Sequence, residues 1–181
     1  DQVTEGSFRM PVQWVNRPHS DFRGFCGRIA AGTIHVGDPI RILPSGKTNS
    51  VKEIHLGDKE LTEAQAGKSV LLTLKEEVDV SRGDVFTSME DPLEVADQFQ
   101  ANLLWMAETP LNPGRSYLLK LHNMEVSASV TGIKYREDLN NSAHLAAKQL
   151  RLNEIGVIDL SISHPLAFEP YSKNRILGGF I

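Results

Sequence analysis

Two tripeptides, Gly46-Lys47-Thr48 and Gly67-Lys68-Ser69, have the ending of a phosphate-binding loop. That chemistry needs another glycine five residues before the first, because the backbone N–H groups must wrap the phosphates unobstructed. Those positions hold Arg41 and Thr62. Both tripeptides therefore read as hairpin and strand-start residues. Asp21-Phe22-Arg23-Gly24 fits the Asp-x-x-Gly pattern of GTPases, but two fixed positions recur by chance, and no guanine-reading Asn-Lys-x-Asp element is present. The histidines, His19, His35, His55, His122, His144 and His164, are scattered, with no i, i+4 pair and no His-x-His, so clustered metal ligands are not expected. Cys26, between Phe25 and Gly27, reads as a small buried hydrophobe in a strand. The acidic pairs Glu76-Glu77, Glu90-Asp91 and Glu137-Asp138 sit in turn contexts, where solvated carboxylates do no acid–base work. No catalytic constellation, metal site or cofactor site is expected within this chain.

The bulk properties narrow the classes further. The net charge of −4 over 181 residues argues against a broad nucleic-acid surface, which relies on a Lys/Arg excess. A single cysteine excludes an internal disulfide scaffold and points to a reducing, cytoplasmic setting. No run approaches the length of a membrane-spanning helix, so no membrane partner is expected. The chain opens on Asp1 rather than Met, with no signal segment, and reads as an internal piece of a longer protein.

Strand periodicity dominates. Phe99, Ala101, Leu103 and Trp105 alternate with polar residues, as do Ile158, Leu160 and Ile162; Val70, Leu72 and Leu74 set a third strand and Tyr117, Leu119 and Leu121 a fourth. Val126 to Tyr135 reads as a longer β-branched strand. Pro44-Ser45-Gly46, Gly57-Asp58, Asn112-Pro113-Gly114 and Asn123 punctuate them as turns. Val-Gly-Asp at 36–38 and Arg-Gly-Asp at 82–84 each place a glycine and a turn-forming aspartate ahead of an apolar strand. One short helix is expected, Ala143 to Gln149 capped by Ser142. The polar, proline-bearing stretch Ser88 to Ala96 reads as a linker. The expectation is an all-β chain of two tandem β-barrels, residues 1–90 and 91–181.

The segments Ala31 to Ile40, Ala64 to Val70 and Val80 to Phe86, in that order, resemble the second domain of translation-factor GTPases such as elongation factor Tu. A narrower resemblance covers almost the whole chain. Phe8 to Pro18, followed by Asp21 to Phe25, looks like the start of domain two in the GTPase subunit of bacterial sulfate adenylyltransferase. Trp105-Met106-Ala107-Glu108, Pro113 to Tyr117, Asp138 to Asn141, Asn153 to Gly156, and Pro170 to Arg175 running on to Gly178-Gly179-Phe180-Ile181 are similar to that family's third domain. The family's GTPase domain has no counterpart in this sequence, and the family continues past Gly-Gly-Phe-Ile with one more strand, which implies a second barrel lacking its last strand. The resemblance implies a non-catalytic barrel region of a regulatory subunit whose parent uses GTP and Mg2+. Its partners would be its own GTPase domain and the small catalytic subunit, which makes adenosine 5′-phosphosulfate and pyrophosphate from ATP and sulfate. The alternative is an RNA-holding barrel pair of a translation factor. Candidates for partner contact are the polar loop residues inside the family phrases: Asn16, Arg17 and Arg23 in the first half, and Asn140, Asn141, Tyr171, Asn174 and Arg175 in the second. The bland reading of the same residues has Asn140 and Asn141 building a turn and Arg17 pairing with Asp21.

Overall fold

The computed structural model describes residues 5–17 and 22–181. The chain forms two compact units, the first Asp1–Val95 with Lys120–Met124 and Leu166–Ile181, the second Ala96–Leu119 with Glu125–Pro165.

In the first unit the strands are β1 (Arg9–Pro11), β2 (Trp14–Asn16), β3 (Gly24–Arg28), β4 (Thr33–His35), β5 (Pro39–Leu43), β6 (Lys47–Leu56), β7 (Lys59–Leu61), β8 (Glu63–Gln65), β9 (Ser69–Leu74) and β10 (Val85–Ser88). The main sheet runs β1-β10-β5-β6-β9-β3-β2, with β7 on β6, and β4 pairs with β8. β1 and β2 follow one another in the chain yet sit at opposite ends of this order, so the sheet closes on itself as a barrel and buries its edges.

Alternation decides what faces inward. Met10 on β1 and Val12 just after it, Ile40 and Ile42 on β5, Leu72 on β9 and Phe86 on β10 fill the interior, where Phe86 meets Phe25 edge-on at 5.5 Å. Val51 and Ile54 of β6 are three apart, yet both are buried. A bulge between Val51 and Glu53 takes up the extra residue and returns Ile54 to the core face.

The two Gly-Asp phrases build the same turn. Gly37 and Gly83 have φ of +91° and +93°, a conformation that costs glycine nothing. Asp38 and Asp84 each turn a carboxylate back to accept the N–H three residues earlier, from His35 at 2.8 Å and Ser81 at 3.0 Å. Burial raises the pKa of Asp84 above the usual carboxylate value, against the pull of the Ser81 N–H.

The second sheet, most of whose residues belong to the second unit, comprises β11 (Glu94–Leu104), β12 (Ser116–Leu121), β13 (Met124–Glu137), β14 (His144–Leu145) and β15 (Ile155–Phe168), in the order β11-β15-β13-β12 with β14 on β13. Val130, Ile158 and Leu160 are buried together with Leu111 and Leu150. Trp105 stands edge-on to Tyr117 at 5.6 Å and donates its indole N–H to the Thr109 carbonyl.

The expected helix Ala143–Gln149 does not form. Ser142 has φ +57°, outside the cap geometry, and His144–Leu145 pairs with Glu137 and Arg136 instead. Local acceptors win the segment: Asp138 Oδ1 takes the Asn140 N–H and Asn141 Oδ1 takes the Ala143 N–H, both at 2.9 Å. The His144 ring then stacks on Tyr135 with centroids 3.7 Å apart. The one helix described is α1 (Arg175–Gly178), in the first unit.

Candidate functional site

The first barrel has a second apolar layer on its outer surface. On β5, Ile42 faces in and the next residue, Leu43, faces out; on β10, Phe86 faces in and Val85 faces out, and both outward residues are buried. With Ala30 they form an external patch, covered by Leu93, Ala167 and Leu177. Residues 166–181 are therefore a strap lying on the barrel. Its end is paired to Lys120, which exchanges both backbone hydrogen bonds with Ile181.

Arg9 lies beneath this strap. Its neighbours Phe8 and Met10 enter the core, so alternation turns Arg9 outward, yet the side chain is only 2% exposed. The guanidinium donates to Asp91 Oδ2 at 2.9 Å, to Glu169 Oε1 at 3.4 Å and to the Phe8 carbonyl at 3.1 Å. Its Nε is buried and finds no acceptor among the described residues. Asp91 is held below the usual carboxylate range, first by a hydrogen bond from the Ser7 hydroxyl, then by Arg9, with Lys173 adding at longer range. The polar stretch at 88–96 is thus pinned at Asp91 and buried at Leu93.

The strap residues around Arg9 carry three of the sequence candidates. Asn174 caps α1, its Oδ1 accepting from the N–H groups of Ile176 at 3.0 Å and Leu177 at 3.3 Å while its Nδ2 donates to the Ala30 carbonyl at 3.3 Å. Tyr171 is 58% exposed, and the Arg175 guanidinium lies 5.8 Å from its ring centre. Gly178 lets the turn close, since a Cβ there would stand 2.4 Å from the Glu169 carbonyl oxygen and the Tyr171 nitrogen. Between strap and barrel is a groove of about 550 Å³, with Arg9, Asp91 and Glu169 in its wall and Tyr171, Lys173 and Arg175 along one side.

The remaining candidates lie apart from this groove. Asn16 ends β2, opposite Gly24, on the last strand of the sheet order. Arg17 follows it, and its expected pairing with Asp21 lies outside the described residues, as does His19. Arg23 pairs with Glu77 at 2.7 Å beside a second groove lined by Phe25, Lys52 and Glu53. The His55 hydrogen bond there lowers the Glu53 pKa. Asn140 and Asn141 belong to the second unit's 138–143 turn. Cys26 is half-buried on β3 between Trp14 and Leu71, and burial pushes its thiol pKa up. Burial likewise pushes the His122 imidazole down.

Guanine nucleotide has no cradle in the Gly-Lys tripeptides: Gly46 turns the β5–β6 hairpin and Gly67 leads into β9, whereas a phosphate loop needs a strand running into a helix. Among the described residues no group of three His, Cys, Asp or Glu side chains could hold a metal ion. Nor is any helix among them long and apolar enough to cross a membrane.

Sequence reasoning missed Arg9, Asp91 and Glu169. The available signal was the doublets Ile42-Leu43 and Val85-Phe86, where two adjacent apolar residues break strict alternation and mark strands buried on both faces.

Residues 26–87 match the family described as elongation factor Tu domain 2, and residues 98–181 match "GTP-eEF1A C-terminal domain-like". Among curated proteins, the bifunctional enzyme CysN/CysC of Xylella fastidiosa is 52% identical over 95% of this chain. Sulfate adenylyltransferase subunit 1 of Saccharophagus degradans is 44% identical over 96% of it. Over nearly its whole length the chain is thus similar to a bifunctional CysN/CysC enzyme and to a sulfate adenylyltransferase subunit 1. It spans 28% of the length of the first of these relatives and 37% of the second, so the family match concerns the elongation-factor-type barrel region. A crystal structure of sup35 complexed with GDP matches with a TM-score of 0.89, 20% identity and coverage of 99% of this chain and 44% of that one. Elongation factor SelB from Methanococcus maripaludis matches at 0.73 and 21% identity, covering 92% of this chain and 38% of its own. These two show the fold, an all-β pair of translation-factor barrels.

Proposed function

We propose that the chain is the non-catalytic barrel region of the GTP-dependent regulatory subunit of sulfate adenylyltransferase, and that it serves in making adenosine 5′-phosphosulfate and pyrophosphate from ATP and sulfate. The observation that supports this reading is identity of 44–52% to a CysN/CysC enzyme and a sulfate adenylyltransferase subunit 1 over nearly the whole chain, against 20% for sup35, which shares the fold. The barrels hold no nucleotide chemistry of their own in this reading. Each is a packed body whose surfaces dock against other bodies, and the nucleotide state of a GTPase domain reaches the small catalytic subunit through such docking. The domain boundary is placed at residues 90–91, and the polar loop residues Asn16, Arg17, Arg23, Asn140, Asn141, Tyr171, Asn174 and Arg175 are its candidate contacts.

The reading is tested by mixing the chain with the catalytic subunit of a sulfate adenylyltransferase, with and without the GTPase domain, and measuring association by calorimetry. Binding to either is the expected result. Filter binding with transfer RNA supplies the opposing arm: retention of RNA at micromolar protein, with no association to the sulfate enzyme's parts, would overturn it.

A further inference from the structure

The groove beside Arg9 has a chemistry that the barrel reading does not explain. Residues 170–181 carry two cations, Lys173 and Arg175, and no acid, in a chain of net charge −4. Among the described residues neither cation makes an ion pair. Both are exposed, and next to them stand two exposed apolar side chains, Tyr171 at 58% and Ile176 at 42%. The cap made by Asn174 fixes the turn that presents all four, so this surface is preformed. An exposed tyrosine with arginine against its ring is the composition of an interface anchor, because such side chains bury much area at little entropy cost.

We propose that this groove receives an acidic segment of a protein partner, a carboxylate lodging between Lys173 and Arg175 and an apolar side chain resting on Tyr171 and Ile176. The groove wall argues for a carboxylate on a peptide over a phosphate or a nucleic acid. Asp91 and Glu169 stand in it, and the Arg9 guanidinium is already engaged by both. A multiply charged phosphate would face two carboxylates with only the rim cations to offset them, whereas a single carboxylate at the rim faces the cations first. The exposed apolar pair gives a peptide something to bury and gives a phosphate nothing. The inference rests on the reading of the chain as a docking region.

The test is amide NMR of the whole chain titrated with a short peptide of Glu and Leu, and separately with inorganic phosphate. The expected result is saturable shifts at Ser7 and at 173–176, weakening with salt, with affinity falling by at least ~10-fold in the K173Q/R175Q variant. Unmoved resonances of Val51 and Leu72 in that variant show the barrel still folded. Absence of shifts, equal affinity in the variant, or the same shifts from phosphate at equal concentration would each overturn the inference. Titration with the sulfate enzyme's catalytic subunit separates the two proposals. Peptide binding retained while neither that subunit nor the GTPase domain binds counts against the proposed function alone; binding of either one with no peptide shifts counts against the groove alone.

Discussion

Replacing Arg9 with alanine removes a guanidinium that reaches three acceptors from a site 2% exposed, and the three do not contribute equally. Asp91 is the closest at 2.9 Å but is 63% exposed, so water takes over when Arg9 goes, and its loss costs about 0.5 kcal/mol or less. The hydrogen bond to the Phe8 carbonyl is worth about 1 kcal/mol. Glu169 is 19% exposed and would be left as a largely buried carboxylate without its cation, at about 1–2 kcal/mol. Removing the buried side-chain stem adds about 1 kcal/mol. The expected loss is therefore about 3–4.5 kcal/mol from the first unit. Urea unfolding measures it, followed by Trp14 fluorescence in a Trp105→Phe background so that the second unit is silent. A lower midpoint with an unchanged slope is the expected form. The double-mutant cycle carries the reasoning further. In the wild type, Glu169→Gln weakens one bond; in Arg9→Ala it removes the stranded charge and should restore about 1 kcal/mol. A loss under ~1 kcal/mol for Arg9→Ala, or strict additivity with Glu169→Gln, would refute the electrostatic account and leave only packing.

Other expectations follow from the same geometry. Asn174→Ala removes the α1 cap and orphans the Ala30 carbonyl, and should cost about 1–2 kcal/mol by urea unfolding. Gly32→Ala meets the Gly6 oxygen at 2.4 Å with φ +70°, whereas Gly46→Ala at φ +77° meets nothing within 4 Å among the described residues; the first should fail to fold or lose several kcal/mol, the second only about 1. Because the Asp91 pKa is lowered on folding, its stabilisation is present above the unfolded value near ~4 and is lost as pH falls through the folded value; stability of Asp91→Asn should therefore fall less than wild type as pH drops below ~4. Asp84 is the opposite case: its raised pKa means the ionised form opposes folding, so Asp84→Asn, which keeps an acceptor for the Ser81 N–H, should raise the neutral-pH melting temperature, and the gain should shrink as pH falls through the folded value and be gone below the unfolded value near ~4.

Strands and turns were legible because their causes are local. Alternation at Ile158, Leu160 and Ile162 puts all three in one buried face, and the glycines of the two Gly-Asp phrases lie at the positive φ those turns need. The helix assigned to Ala143–Gln149 failed for a reason equally local but weaker in the sequence. Leu145, Ala146 and Gln149 have helical spacing, yet Asp138 and Asn141 offer side-chain acceptors to Asn140 and Ala143, and seven residues of propensity do not offset those bonds. Helix α1 escaped notice because four residues cannot show a period; only Asn174 before Arg175 signals it.

The groove was half legible, and the missing half is a matter of sequence separation. Tyr171, Asn174 and Arg175 stood out as polar residues in a loop-like phrase. Arg9 did not, because a charged residue between Phe8 and Met10 on an outward strand face reads as solvated. What buries it is the strap, 160 residues further along the chain at Glu169. No pattern within β1 encodes that contact. The trace it leaves is negative: Leu43 and Val85 are apolar where an exposed barrel face would be polar, so something must cover them. A charge flanked by such positions on neighbouring strands is then expected to be buried with a carboxylate brought by the covering segment. Asp91 and Glu169, arriving from Pro92's side and from the end of β15, are the two the fold supplies.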